Sequence, residues 1–264
     1  MADAIFEEPR LAEIYDPLDP DRSDLDAYAA LADEFSAVTV LDVGCGTGTL
    51  ACLLANQGLE VIAVDPAAAS LAVARRKPGA AGVRWLHGDA TALPALRADL
   101  AMMTGNVAQV FITGQEWAAT LGAVREALRP GGRLVFESRD PAKQAWLEWN
   151  RDATYRRVVI PGTGLVETWT DLTSVQGSLV SFRMTFVFGS DGAVLTSDST
   201  LRFRSRGELA DSLAAAGLAV EEVRDAPDRP GREFVFITRR PTGKDPHPAR
   251  GAPLRDRTRP ASEN

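Results

Sequence analysis

Three aspartates stand at matching places in the chain. Asp42, Asp65 and Asp89 each follow a short apolar run of β-forming residues: Val40–Leu41, Leu59–Val64 and Val83–His87. After the first acid comes Gly44-Cys45-Gly46-Thr47-Gly48, and then a helical spacing of Leu50, Leu53 and Leu54 up to Gly58. Glycines suit a backbone that turns sharply and comes close to a ligand. The free N–H groups of the helix that follows favour anionic or strongly accepting ligand atoms. An acid about twenty residues beyond such a turn is where a doubly wound fold binds ribose hydroxyls. Asp65 occupies that place, and its alternative role is to cap the helix expected from Ala67 to Arg76.

Two ligand classes use this turn. A dinucleotide site asks for Gly-x-Gly-x-x-Gly. Gly44 and Gly46 fit, but the third position is Thr49 and the glycine comes one residue early, at Gly48. The stretch Asp42-Val43-Gly44-Cys45-Gly46-Thr47-Gly48 resembles instead the first motif of class I S-adenosylmethionine-dependent methyltransferases. Leu128-Arg129-Pro130-Gly131-Gly132-Arg133-Leu134-Val135 is similar to a turn common in the same superfamily.

The resemblance covers residues 36–140 and 205–240. It implies S-adenosyl-L-methionine as cofactor and transfer of its methyl group to N, O or C of a small-molecule acceptor. Asp42, Gly44, Cys45, Gly46 and Gly48 would hold the amino-acid end of the cofactor. Asp65 and Pro66 would lie at the ribose, and Asp89 and Ala90 at the adenine. Asn106, at the exit of the fourth strand, would face the cofactor or acceptor, or else cap its own turn. Tyr15 is either part of a flap touching the cofactor or part of a solvated lead-in. The motifs of exocyclic base-amine and cytosine C5 enzymes are absent.

The reacting side chains are less marked. Glu137 and Asp140 are candidates for removing a proton or holding an amine. Arg139 is a candidate partner for an acceptor carboxylate, since its planar fork suits that geometry. Glu137 can equally be a buried structural partner of Arg139. His87 reads as a strand-end core residue rather than a base. No histidine, cysteine and carboxylate spacing suggests a metal site, so none is expected. The other classes kept open are a nicotinamide-dependent oxidoreductase, which shares Gly44, Gly46 and Asp65, and a non-catalytic S-adenosylmethionine-binding protein.

The elements that must position these residues follow from periodicity. The expected fold is α/β: a doubly wound, seven-stranded, mostly parallel sheet of the Rossmann-like methyltransferase type, with an antiparallel β insertion after the fifth strand. Residues 1–36 form an N-terminal flap and helix, with a capping-box spacing at Ser23–Asp26. Residues 37–140 and 205–240 form the core, with further capping boxes at Thr113–Glu116 and Ser205–Glu208. In residues 141–204 the apolar period drops to two at Val180, Phe182, Met184, Phe186 and Phe188. This insertion is expected to cover the substrate and can also build a homodimer contact. Trp146 and Trp149 either anchor it or line its pocket. Residues 241–264 are rich in Pro, Arg and polar residues and are expected to be a disordered tail.

At 264 residues, 45% hydrophobic and net charge −7, the chain has ample core and an acidic balance that opposes binding to nucleic acid or an anionic membrane. Cys45 and Cys52 suggest no disulfide framework. The sequence shows no apolar run of membrane-spanning length and no secretory signal, so a cytoplasmic protein is expected.

Overall fold

Alternation along the strands sorts the core into two layers. The computed structural model describes residues 2–243. The first five strands are β1 (Thr39–Val43), β2 (Glu60–Asp65), β3 (Val83–His87), β4 (Ala98–Met103) and β5 (Leu128–Arg139), and the last two are β10 (Ala219–Asp225) and β11 (Glu233–Arg239). They form one sheet in the order β10-β11-β5-β4-β1-β2-β3, with β1 to β5 parallel and the β10–β11 pair antiparallel. Side chains alternate between faces along each strand. Leu41, Val43, Met103 and Phe136 pack under α6 (Gly114–Ala127) and α8 (Arg206–Ala215). Val40, Met102, Val135 and Val235 pack under α3 (Asp24–Glu34) and α4 (Thr49–Asn56). The same alternation places Asp42 beside Val40 and Glu137 beside Val135, so both acids face the α3–α4 layer. The crossovers diverge between β1 and β4, which is the ligand crevice of this architecture.

The insertion is a separate antiparallel sheet of β6 (Arg156–Ile160), β7 (Gly164–Gln176), β8 (Leu179–Phe188) and β9 (Val194–Arg202), preceded by the short α7 (Arg151–Thr154). The sequence reading missed β6. Its Val158 and Ile160 alternate for only two steps, next to a Pro161-Gly162 turn. The apolar face of β8 is covered within the chain. At one end Phe186 and Phe188 meet Ile5, Leu11, Ile14 and Leu18 of α1 (Ala4–Glu7) and α2 (Pro9–Leu18). At the other, Val180 meets Trp146 and Phe203. That face therefore needs no second subunit to bury it.

Local signals explain most boundaries. Thr113 and Ser205 close the two expected capping boxes with Glu116 and Glu208. Ser23 does precede its helix, but its side chain caps nothing. Its backbone N–H instead donates to Asp21. Pro9 at the first turn and the Glu8 carboxylate on the Leu11 N–H start α2. The tail expected at 241–264 lies, from residue 244 on, outside the described residues.

Candidate active site

The glycine turn is tied to the second strand. Gly44 and Cys45 both donate to the Val64 carbonyl, at 2.9 and 3.2 Å. The Asp65 carboxylate accepts from the Gly46 N–H and the Ala67 N–H, each at 2.8 Å. Asp65 thus joins two strand-to-helix turns; it does not cap the helix at Ala68–Ala74, whose N-cap residue is Ala67 itself, but closes the turn ahead of it. Burial raises its pKa, and the two backbone donors oppose that rise. At Gly48 (φ +76°) a Cβ would fall 2.4 Å from the Trp85 ring. Close packing of α4 against β3 therefore sets the early third glycine. Gly46 (φ +52°) meets nothing within 4 Å and borders open space, as an approach path for a ligand requires.

Asp42 is 1% exposed and its Oδ1 has no hydrogen-bond partner. Burial, and then the charge of Asp65, raise its pKa to about 7. A positive group near the turn would favour its ionised form. The Cys45 thiol is pushed up by burial, which argues against a reactive thiolate. Asp89 lies exposed beyond β3, where the Thr91 hydroxyl and N–H hold its pKa down; Ala90 behind it is buried. Pro66 offers its carbonyl to His87 Nε2 at 3.0 Å. His87 is exposed rather than a core residue, since its ring turns outward to that carbonyl.

A second polar group sits at the ends of β4, β5 and β11. Glu137 accepts from the Tyr28 hydroxyl through Oε2 and from the Asn106 N–H through Oε1, the latter at 3.0 Å. Burial raises the Glu137 pKa, and the Tyr28 bond opposes it. Asn106, buried at φ +62°, donates from Nδ2 to Glu233 at 3.1 Å, while its Oδ1 has no partner. Arg139 donates to Gln109 at 3.0 Å and lies 3.7 Å from Glu233. Its structural carboxylate partner is therefore Glu233, not Glu137, because β11 runs beside β5 with Glu233 opposite Arg139. Asp140 turns away and caps Ala142 at 2.9 Å. Trp146 is buried with Phe203, whereas Trp149 is half-buried, with the Arg139 guanidinium 5.9 Å from its ring.

The N-terminal helices close over the glycine turn. Asp16 accepts from Thr47 Oγ1 at 2.7 Å and pairs with Lys77 at 2.6 Å. Glu7 accepts from the Ala68 N–H. Tyr15, next to Asp16, keeps 36% of its surface open, while burial raises its hydroxyl pKa. Asp16, Tyr28, Lys77, Gln109 and Glu233 were not singled out from the sequence. Tyr28 reads there as one more apolar position of α3, and only β11 pairing brings Glu233 to the site.

Residues 40–132 match the family model of the methyltransferase domain. A demethylmenaquinone methyltransferase of Thermus thermophilus is 40% identical over 121 residues, which is 44% of this chain and 54% of that protein. The match thus spans about half of that relative's length. The matched residues carry a methyltransferase domain similar to that of the class I S-adenosylmethionine-dependent methyltransferase superfamily. The fold agrees. A methyltransferase from Clostridium acetobutylicum superposes with a TM-score of 0.73 at 19% identity, covering 89% of this chain and 99% of that one. CalS10, an amino pentose methyltransferase from Micromonospora echinaspora with bound S-adenosylmethionine, superposes with a TM-score of 0.63 at 23% identity, covering 84% and 93%.

S-adenosylmethionine is the cofactor of this superfamily, and the residues present fit it. The partnerless Asp42 oxygen and the open side of Gly46 lie at the turn, and Asp65 and Asp89 follow on successive strands. Among the described residues, no three His, Cys, Asp or Glu side chains gather to hold a metal ion. No described helix is long and apolar enough to cross a membrane.

Proposed function

We propose that the protein transfers the methyl group of S-adenosylmethionine to N, O or C of a small-molecule acceptor. The observation that carries this reading is the row of Asp42, Asp65 and Asp89 at the carboxyl ends of three adjacent parallel strands, beside the turn at Asn106. When bound, the cofactor supplies a methyl carbon on a sulfonium: an acceptor lone pair forms the new bond and the C–S pair leaves on sulfur. The chain's own task is positioning, which is worth up to roughly 7–11 kcal/mol when two reactants are well held.

In this reading the turn around Gly46 receives the amino-acid end, Asp65 and Pro66 the ribose, and Asp89 and Ala90 the adenine. Tyr15 closes the cleft from α2. Glu137 acts as a positioning residue for the Asn106 turn, since both its oxygens are engaged. Arg139 and Trp149 face the acceptor, and residues 141–204 form the acceptor's cover. The similar proteins are named for acceptors as different as demethylmenaquinone and an amino pentose, so the acceptor of this chain has to come from its own pocket.

Calorimetry with S-adenosylmethionine, S-adenosylhomocysteine and NAD tests the cofactor. The first two should bind and NAD should not. Methyl-labelled cofactor incubated with a small-metabolite library then tests turnover. Binding of NAD alone would favour an oxidoreductase. Tight binding of S-adenosylmethionine with no labelled product from any metabolite would favour a binder.

A further inference from the structure

Arg139, the last residue of β5, is a guanidinium with an open side. Its Nη1 donates to Gln109 Oε1 at 3.0 Å. The Glu233 carboxylate comes no nearer than 3.7 Å, at Nε, which is too far for a hydrogen bond. Nη2 is left without a hydrogen-bond partner among the described residues. It is not walled in, since the side chain keeps 22% of its surface open and no Arg139 nitrogen is both buried and unpaired.

The carboxylates around this guanidinium are already engaged. Glu233 accepts from Arg229 Nη1 at 2.8 Å and from Asn106 Nδ2 at 3.1 Å. Glu137 accepts from the Tyr28 hydroxyl and the Asn106 N–H. Both acids are buried. Asp228 pairs with Arg229, and Asp140 caps Ala142. A cationic ligand therefore finds no free carboxylate here, whereas an anionic one finds an open N–H group.

The same guanidinium is joined to the glycine turn. Gln109 ends the single 3-10 turn Val107–Gln109. At the start of that turn, the Val107 side chain fills the space that a Cβ on Gly44 would need, with only 2.6 Å between them. One short turn thus connects Gly44 with the partner of Arg139. Burial draws the Arg139 pKa down, and Glu233, Glu137 and Tyr15 oppose this while Arg229 adds to it. The Tyr15 hydroxyl of α2 is therefore within electrostatic range of the guanidinium. Trp149 of the insertion stands on another side, 5.9 Å away.

Resting on the methyltransferase reading above, we propose that the acceptor carries a carboxylate, which Arg139 binds through Nη2, with the atom to be methylated on the side of the glycine turn. Guanidinium and carboxylate match in plane and charge, and such charge-assisted bonds are stronger than neutral ones. Arg139 meets this partner without releasing Gln109, which uses only Nη1. A phosphate dianion suits the place less well. Glu233 and Glu137 stand beside the same guanidinium, so a second negative charge meets added repulsion.

Benzoate, benzamide and phenyl phosphate share a ring and differ in the charge of the head group. Each is titrated by saturation-transfer NMR into the full chain saturated with S-adenosylhomocysteine. Benzoate should bind at least about tenfold more tightly than benzamide, the scale of one charge-assisted hydrogen bond, and more tightly than phenyl phosphate. Arg139→Gln should abolish the preference for benzoate, and Arg139→Lys should keep part of it, because the charge stays and the planar fork is lost. Melting curves check that each variant is folded; where one is not, the three parent titrations still decide. In a labelled-metabolite screen, every methylated product should come from a carboxylate-bearing acceptor. Equal binding of benzoate and benzamide, binding of neither, tighter binding of phenyl phosphate, a preference that survives Arg139→Gln, or a labelled product from an acceptor without a carboxylate overturns the proposal. Failure to bind S-adenosylhomocysteine would instead overturn the methyltransferase reading; benzoate titrated into the protein alone would then decide the Arg139 site.

Discussion

Asp16, on the second N-terminal helix, accepts the hydroxyl hydrogen of Thr47 in the middle of the glycine turn, 2.7 Å away. The same carboxylate receives Thr49 Oγ1 at 3.3 Å and Lys77 Nζ at 2.6 Å. One side chain therefore ties a lead-in helix to the turn that would hold the cofactor. Asp16→Ala should weaken S-adenosylmethionine binding by about 1–2 kcal/mol, the charged hydrogen-bond scale reduced for partial exposure. Stopped-flow measurement should show the loss mainly as faster dissociation. Unchanged affinity and off-rate in a folded variant would mean that the helix does not gate the site.

Asp65 carries two loads, a ribose contact in the proposed reading and the Gly46 and Ala67 N–H groups in the structure. Asp65→Ala should weaken S-adenosylmethionine binding by about 1.5–3 kcal/mol. It should also lower the melting temperature, because both backbone donors lose their acceptor. Titration calorimetry and thermal unfolding together separate the effects. A lowered melting point with full affinity would assign Asp65 to the turns alone.

Asp42 predicts a pH dependence. Its folded pKa of about 7 lies above the ordinary 3.8, so between these values the folded protein holds a proton that the unfolded chain releases. The stability this contributes is complete below about pH 3.8 and is lost as pH rises through about 7. Asp42→Asn removes the titration. Relative to the parent, the variant should gain stability between pH 5 and pH 8, by about 2.5 kcal/mol. Urea unfolding at the two pH values checks this. A stability difference independent of pH would show that Asp42 titrates normally.

Tyr28 is the donor that opposes the burial of the Glu137 charge. Tyr28→Phe should cost about 1–3 kcal/mol of stability and raise the Glu137 pKa further. If Glu137 positions the Asn106 turn, kcat for methyl transfer should fall several-fold with little change in cofactor affinity. A folded Tyr28→Phe protein with the parent kcat would remove Glu137 from that role.

The two tryptophans should separate. Trp146 is buried with Phe203 and Val180, so Trp146→Ala should cost about 3–5 kcal/mol of stability. Trp149 is half-buried, edge-on to Phe182 at 4.7 Å and near Arg139. Trp149→Ala should cost less stability and raise the acceptor KM more than the cofactor KM. Equal kinetic behaviour of the two variants would count against a pocket-lining role for Trp149.

The cofactor half of the site is legible in sequence because it is local. Asp42 through Gly48 is one turn, and Asp65 and Asp89 each end a strand whose apolar run announces it. Glycine spacing and strand ends are short-range properties, and parallel strands bring those ends to one edge. The two capping boxes that form, at Thr113 and Ser205, are local in the same way. The third spacing, at Ser23, did not become a capping box, because Asp21 takes the nearby N–H instead.

The polar group at the ends of β4, β5 and β11 is made by contacts between residues far apart in the chain, and sequence spacing carries no record of them. Glu137 meets Tyr28 across 109 positions, and Asn106 meets Glu233 across 127. Arg139 finds Glu233 because β11 folds back antiparallel beside β5. The cover of the β8 face came likewise from residues near the start of the chain, Ile5 to Leu18. By itself the sequence determined the order of the core elements and the strand-end acids, through periodicity and turn chemistry that act within a few residues, while the cofactor class followed from the resemblance of the Asp42–Gly48 stretch. Tertiary structure alone decided which carboxylates are engaged and what buries the insertion, because burial and pairing depend on which distant surfaces meet.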